Sequence, residues 1–435
     1  MSSFHIVDHT VPASYIREYP HALAHSQEDQ LHLAIKQYIP KSNPTPQAGD
    51  VTILGAHANG FPKELYEPLW DDLLARSEKY GFRIRSIWIA DVAYQGASGV
   101  LNEQKLGNDP GWYDNVRDLL YFINLKRTDM PRPIFGLGHS MGGNVLVNMA
   151  LIHPRLFQGL ILLDPVIQVR SAEKAGDFEA SVAQLSTFRR DVWPSREEAA
   201  RSLLKSSFYR AWDKRVFERW IKYGLRDLPT LLRDVPAHIG QTPGDGPPVT
   251  LATPVGHEVH NFLRPNYAGY GSKNPELQID RSTHADLNAK ASLTYPFYRS
   301  EPERTFHRLP ELRPSVCYIF GEKSDVAGPV WNQQKLDLTG TGQGGSGGVK
   351  EGRVVGHVFD GVGHLIAMEA SERTAETSAE WLGKEMIRWR AEEARWEREW
   401  RPKTLREKQD IDDEWRDKMG RPRRPAKPDA KDSKL

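Results

Sequence analysis

The sequence predicts an α/β protein with a mostly parallel central sheet, helices on both faces, and a helical lid inserted over one edge. Three observations carry this reading. Apolar runs alternate with segments of helical spacing from Val51 to Leu163, as in strand–helix–strand units that build a parallel sheet. The alternation is lost between residues 166 and 314 and resumes at Val316–Phe320 and Val354–Phe359. Gly138-His-Ser-Met-Gly142 also falls between an apolar run and a helical segment.

Each element has its own signal. Phe4–Val11 and Leu31–Ile39 read as short strands, followed by a Pro/Asn-rich turn from Pro40 to Gly49. Val51-Thr-Ile-Leu-Gly55 is an apolar run closed by glycine, the mark of a buried strand. Lys63–Tyr80 suits a helix, Phe82–Ile89 a strand, and Trp112–Leu125 repeats apolar residues at helical spacing. Pro133–Leu137 is a strand, Gly143–Ile152 a helix and Leu156–Leu163 the next strand.

In the insertion, Ser195 and Glu198 form a capping-box pattern. Leu204, Phe208, Trp212, Val216 and Trp220 then recur every four residues until Gly224, predicting one long amphipathic helix. Thr339–Gly348 is rich in Gly, Ser and Thr and reads as a flexible loop. Ala375–Trp415 reads as charged helix, with Trp381, Trp389 and Trp396 on one stripe. The expected organisation is a first core half (1–165), a lid (166–314), a second core half with the charged helix (315–418) and a disordered tail (419–435).

Composition narrows the function. The 435 residues carry 58 basic against 57 acidic side chains, so no polyanion footprint points to nucleic acid. Cys317 is the single cysteine and sits in an apolar run, which rules out an intramolecular disulfide and argues against a cysteine metal site. A buried, inert thiol in a reducing compartment is expected. The N-terminus has neither a basic start nor a long apolar run, so no secretory signal is expected. No stretch is apolar for long enough to suggest a transmembrane segment. No cofactor or metal is called for.

The chemistry centres on Ser140. A glycine-flanked serine on a sharp strand-to-helix turn is lifted out of the sheet and faces the dipole of the next helix. A serine hydroxyl needs a base, and His364 follows the last predicted strand on a loop reaching the sheet edge. The base needs an orienting carboxylate. Asp325, after the Val316–Phe320 strand, gives the order Ser…Asp…His and is preferred. Asp164, in Leu-Leu-Asp-Pro, is the rival. The developing oxyanion needs two backbone donors. Met141 supplies one, and Ala58 or Asn59 the other. Phe208, Trp212, Phe217, Trp220, Phe262, Tyr267 and Tyr270 make the lid aromatic, which suits apolar acyl chains or packing alone.

His57-Ala-Asn-Gly-Phe-Pro-Lys-Glu64, Gly138-His-Ser-Met-Gly-Gly143 and Trp220-Ile-Lys-Tyr-Gly-Leu-Arg226 resemble fungal peroxisomal serine hydrolases of the α/β-hydrolase superfamily. That group takes in the yeast peroxisomal lipase and hydrolases of host-selective toxin biosynthesis. The likeness to the superfamily covers roughly Val51–Trp389 and implies a triad of Ser140, Asp325 and His364. Ala58 departs from the common His-Gly pattern. Ser433-Lys434-Leu435 reads as a peroxisomal address.

The expectation is therefore a peroxisomal matrix esterase or lipase acting on apolar acyl esters, with a place in secondary metabolism or toxin biosynthesis. Its partners would be a small-molecule ester or thioester and the peroxisomal import receptor. Alternatives are a thioesterase or acyltransferase working on acyl-CoA, or a non-catalytic ligand-binding relative.

Overall fold

A computed structural model describes residues 2–169, 181–237, 239, 246–268, 270–271, 273–274, 279–288, 295–326 and 328–422. The chain divides into two compact units, Met1–Glu385 and Met386–Leu435.

The first unit is built on an eight-stranded sheet: β1 (Phe4–Pro12), β2 (His32–Pro40), β3 (Val51–Ala56), β4 (Ile84–Ala90), β5 (Ile134–His139), β6 (Gly159–Leu163), β7 (Ser315–Gly321) and β8 (Val354–Phe359). Their spatial order is β1-β2-β4-β3-β5-β6-β7-β8. β1 pairs antiparallel with β2, and β2 with β4. Every other neighbouring pair is parallel. The central strands β3, β5, β6 and β7 are buried along their whole length. This explains why they read as continuous apolar runs rather than alternating ones.

Crossover helices α1 (Glu67–Ser77), α2 (Gly96–Asn102), α3 (Trp112–Leu125) and α4 (Met141–Ile152) connect the first strands. α4 is buried over ten consecutive residues, Met141–Ala150, because it fills the space between the sheet and the elements outside it. Cys317 on β7 is fully buried, and that burial pushes its thiol well above the ordinary range. The thiol is therefore protonated and inert.

The long lid helix expected from Ser195 is three short ones, Arg196–Leu203, Ser207–Arg210 and Lys214–Tyr223. The breaks have a local cause. The Ser206 and Asp213 side chains accept from the backbone amides of Phe208 and Arg215, so each restarts a helix where the apolar spacing suggested continuation. Ser195 does cap the first, accepting from the Glu198 amide. The insertion also holds a three-stranded antiparallel sheet formed by Val192–Trp193, Val249–Leu251 and Leu225–Asp227, which two- and three-residue strands are too short to announce. Its helix α5 (Val255–Phe262) faces the main sheet's carboxyl edge.

After β7 come α6 (Pro329–Leu338) and the glycine-rich segment. That segment is not a free linker: the amides of Gly340, Gly342 and Ser346 donate to the carbonyls of Leu309, Pro310 and Leu312. α7 (Ser371–Glu399) begins in the first unit, where Trp381 is buried. In the second unit the charged helix is interrupted, and Thr404 with Glu407 forms a complete capping box that starts a new short helix. Trp396 is exposed there, so the proposed stripe is not a single buried face. The tail beyond 422 lies outside the described residues. Among those described, no helix is long and apolar enough to cross a membrane.

The packing behind the serine turn leaves no slack. A Cβ on Gly142 would sit 2.1 Å from the Ala56 carbonyl oxygen and 2.8 Å from that of His57. Both are backbone atoms of the neighbouring strand and its loop, so they cannot swing aside. Gly142→Ala should cost on the order of 3 kcal/mol or more, the upper end of ordinary overpacking. A melting temperature within 1 °C of the parent, measured by calorimetry, would refute the close approach.

Candidate active site

Two tight turns at the carboxyl ends of adjacent strands create the site. Ser140 directly follows β5 with φ 57° and ψ −117°, and Asp164 directly follows β6 with φ 41°. Neither is glycine, so each conformation costs on the order of 1–3 kcal/mol and persists because its surroundings hold it. Ser140 N–H donates to the Leu163 carbonyl (2.9 Å), and Val166 N–H donates back to the Ser140 carbonyl (3.2 Å). Asp164 N–H donates to the Ile319 carbonyl on β7 (2.8 Å).

His364 reaches this corner from the loop after β8. Its Nε2 lies 2.9 Å from Ser140 Oγ, and its Nδ1 lies 2.6 Å from Asp164 Oδ2. The carboxylate can only accept, so Nδ1 carries the proton and Nε2 is free to take one from the serine. Asp164 is fully buried and also accepts from Ser324 Oγ.

This corrects the preference for Asp325. The histidine's partner is Asp164, which sits at the end of β6 next to the serine strand. Asp325 is exposed, four residues beyond the end of β7, and lines the cavity in front of the serine. Chain order could not decide between them, because Asp164 and Asp325 both lie between Ser140 and His364, and β6 and β7 are neighbours, so the end of either strand can serve a histidine arriving after β8.

The amide donors are also sorted by geometry. The Ala58 N–H is taken by Tyr66 Oη (2.9 Å), which removes Ala58 from the choice. The Asn59 and Met141 amides have no acceptor among the described residues, and both residues line the cavity with Ser140. Met141 opens α4, where the first amides of a helix lack internal partners.

Sequence reasoning missed the residues that tie these loops together. Tyr66 Oη lies 2.9 Å from His139 Nδ1, and His139 Nε2 lies 2.9 Å from the His364 carbonyl oxygen. A carbonyl only accepts, so Nε2 bears the proton, Nδ1 accepts from Tyr66, and Tyr66 accepts from Ala58. One buried chain thus joins the loop after β3 to the loop holding His364. Burial pushes His139 down to about 3, so it stays neutral. The signal that could have found it is the His of Gly-His-Ser, next to the serine in sequence.

The cavity measures about 830 Å³, within the range of about 300–1,000 Å³ usual for small-molecule sites. Phe208 and Phe262 of the aromatic lid set line it. Trp212 and Trp220 instead pack on Phe61, with ring centroids 5.7 and 5.8 Å away, and Phe217 is buried with them. Tyr267 and Tyr270 are exposed.

Comparison with known proteins fits this architecture. The family model described as serine aminopeptidase, S33 matches residues 86–215. The type I acyl-CoA thioesterase mpaH of Penicillium roqueforti is 42% identical over 399 residues, covering 90% of each chain. The chain belongs to the α/β-hydrolase superfamily.

Within that superfamily it is a serine hydrolase by family and an enzyme. An abhydrolase domain-containing protein of Alternaria alternata is 27% identical over 266 residues, 60% of this chain and 87% of the relative. The solved structure of the peroxisomal alpha-beta-hydrolase Lpx1 from Saccharomyces cerevisiae superposes with a TM-score of 0.66 at 18% identity, covering 89% of this chain and 91% of that one. At that identity the likeness shows a shared α/β-hydrolase fold.

The two candidate acids separate experimentally. Asp164→Asn should lower turnover on the order of 10⁴-fold, because the imidazole loses its orienting anion. Asp325→Asn should change it less than about threefold, as befits an exposed side chain away from the base. Steady-state kinetics on one ester or thioester substrate decide it, and reversed effects would restore Asp325.

Proposed function

We propose that this α/β-hydrolase cleaves acyl-CoA thioesters, with Ser140 as nucleophile, His364 as base and Asp164 as its orienting acid. The observation that carries the proposal is the continuous Ser140–His364–Asp164 hydrogen-bond chain opening onto the cavity. The named activity of the 42% identical Penicillium relatives supports the thioester over an oxygen ester.

The chemistry follows from the atoms present. Ser140 Oγ attacks the acyl carbonyl as its proton passes to His364 Nε2. The carbonyl oxygen becomes an oxyanion within reach of the free Asn59 and Met141 amides. The C–S bond breaks, and the imidazolium returns the proton to the departing sulfur. Water then attacks the acyl-serine, again deprotonated by His364, and releases a carboxylic acid. Asp164 keeps its charge throughout and balances the imidazolium.

A second feature supports a nucleotide-bearing substrate. Arg304 lines the cavity, is exposed, and lies over the Tyr113 ring at 5.0 Å. It forms no ion pair among the described residues, unlike Arg299, which is paired with Glu301 at 3.1 Å. A guanidinium held by an aromatic face and free of a carboxylate suits the phosphates of coenzyme A.

Purified protein should hydrolyse medium- or long-chain acyl-CoA faster than the matching p-nitrophenyl esters. Arg304→Ala should raise KM for acyl-CoA several-fold and leave KM for the ester unchanged. Ser140→Ala should lower turnover of both by roughly 10⁴ to 10⁶-fold. Rapid ester turnover without acyl-CoA turnover would favour an esterase.

For location we propose the peroxisomal matrix, on the strength of Ser433-Lys434-Leu435, which lie outside the described residues. An N-terminal fluorescent fusion should coincide with a peroxisomal marker and become diffuse when the three residues are deleted. Unchanged puncta after deletion would place the import signal elsewhere.

A further inference from the structure

We propose that Asn261, on the inserted helix α5, is a positioning residue for the oxyanion site: one side chain from the lid orients both residues whose amides face the acyl oxygen. This rests on the serine-hydrolase reading above. Asn261 is fully buried. Its Nδ2 donates to Asn59 Oδ1 at 2.6 Å and to Met141 Sδ at 2.9 Å. Its Oδ1 accepts from Tyr94 Oη at 2.8 Å, and its backbone carbonyl accepts from Trp112 Nε1 at 2.9 Å.

The amide orientations are fixed by groups that cannot reverse. Asn59 Nδ2 meets the Glu258 carbonyl at 3.0 Å, which only accepts, so Asn59 Oδ1 must face the other way. The Gly60 amide, which only donates, meets Gln95 Oε1 at 2.8 Å, so Gln95 presents its Nε2 to Asn59 Oδ1. Asn261 therefore also presents its NH₂ to that oxygen, and Tyr94 donates to Asn261. The Asn59 side chain thus has three partners, two of them from α5, while its backbone N–H is left free. Such a closed, buried network tolerates few alternative arrangements. The lid helix is in this way part of the catalytic floor as well as a wall of the cavity.

Removing the Asn261 amide should let both donors drift. Loss of one oxyanion donor costs about 10²–10³ in kcat, and misplacing donors should cost less. Asn261→Leu, close in size and unable to hydrogen-bond, should lower kcat about 10- to 100-fold with KM within about threefold, measured on a p-nitrophenyl ester and on acyl-CoA. Fluorophosphonate labelling of Ser140, which needs no substrate, should slow by a similar factor. Tyr94→Phe removes the partner that orients Asn261 without opening a large gap, and it should give a smaller loss in the same direction if the leucine variant fails to fold.

The deciding measurement is a double-mutant cycle. In an Asn59→Ala background, Asn261→Leu should cost at least about threefold less than it does in the parent, the remaining loss being the share carried through Met141. Full additivity of the two losses, an effect confined to KM, or unchanged kcat and labelling in both Asn261→Leu and Tyr94→Phe would each overturn the proposal. Absence of probe labelling at Ser140 in the parent would instead remove the serine-hydrolase reading itself.

Discussion

The backbone turn at Ser140 is the constraint on which the rest of the site depends. A non-glycine residue at φ 57° is held only because the strands on either side are fully buried and hydrogen-bonded. The exchange of bonds between Ser140 and the Leu163–Val166 stretch locks the serine turn to the turn that carries Asp164. Ser140 and Asp164 are therefore set by neighbouring strands of one sheet. Only His364 arrives on a separate loop, and its carbonyl is gripped by His139, the residue just before the serine. Strain stored at the turn is offset by burial of the sheet, which places precise geometry on the most rigid part of the fold.

Much of the fold was legible in the sequence. The buried strands are continuous apolar runs because both sheet faces are covered, and the Trp112–Leu125 helix matches its predicted bounds. What could not be read was decided by local competition or by distance. The spacing from Leu204 to Trp220 satisfied a single helix, yet Ser206 and Asp213 capture backbone amides and divide it. The glycine-rich segment has the composition of a linker, but its amides find carbonyls at 309–312 that no local pattern reveals.

The site shows the same division. Ser140 and His364 were visible because each sits at a strand end in a recognisable turn. The carboxylate that meets His364 was not legible, because Asp164 and Asp325 both follow a strand and the sequence does not say which lies beside the serine. Asp164, before Pro165, sits in a turn at positive φ, and that turn aims its carboxylate at His364. Asn261, Tyr66 and Gln95 left no trace at all. Asn261 is some 200 positions from Asn59, and nothing in its own neighbourhood marks it out from other lid residues.

The charges around the base form a consistent arrangement. In the proposed reaction, taking a proton from Ser140 would create an imidazolium in a largely buried corner, which is costly without a nearby anion. Asp164 supplies that anion, and Ser324 and His364 share one of its oxygens. The His139 ring lies beside His364, with centroids 5.5 Å apart. A second imidazolium there would repel the first, but burial keeps His139 neutral well below physiological pH. Behind the acid, Lys335 on α6 is fully buried, and burial pushes it down to about 8 against the opposing pull of Asp164. No Lys335–Asp164 ion pair forms among the described residues, so Lys335 does not compete for the oxygen that meets the histidine. An imidazolium formed at His364 would therefore lie beside an anion already in place, Asp164, and beside a neutral ring, His139, while the new negative charge would fall on the acyl oxygen.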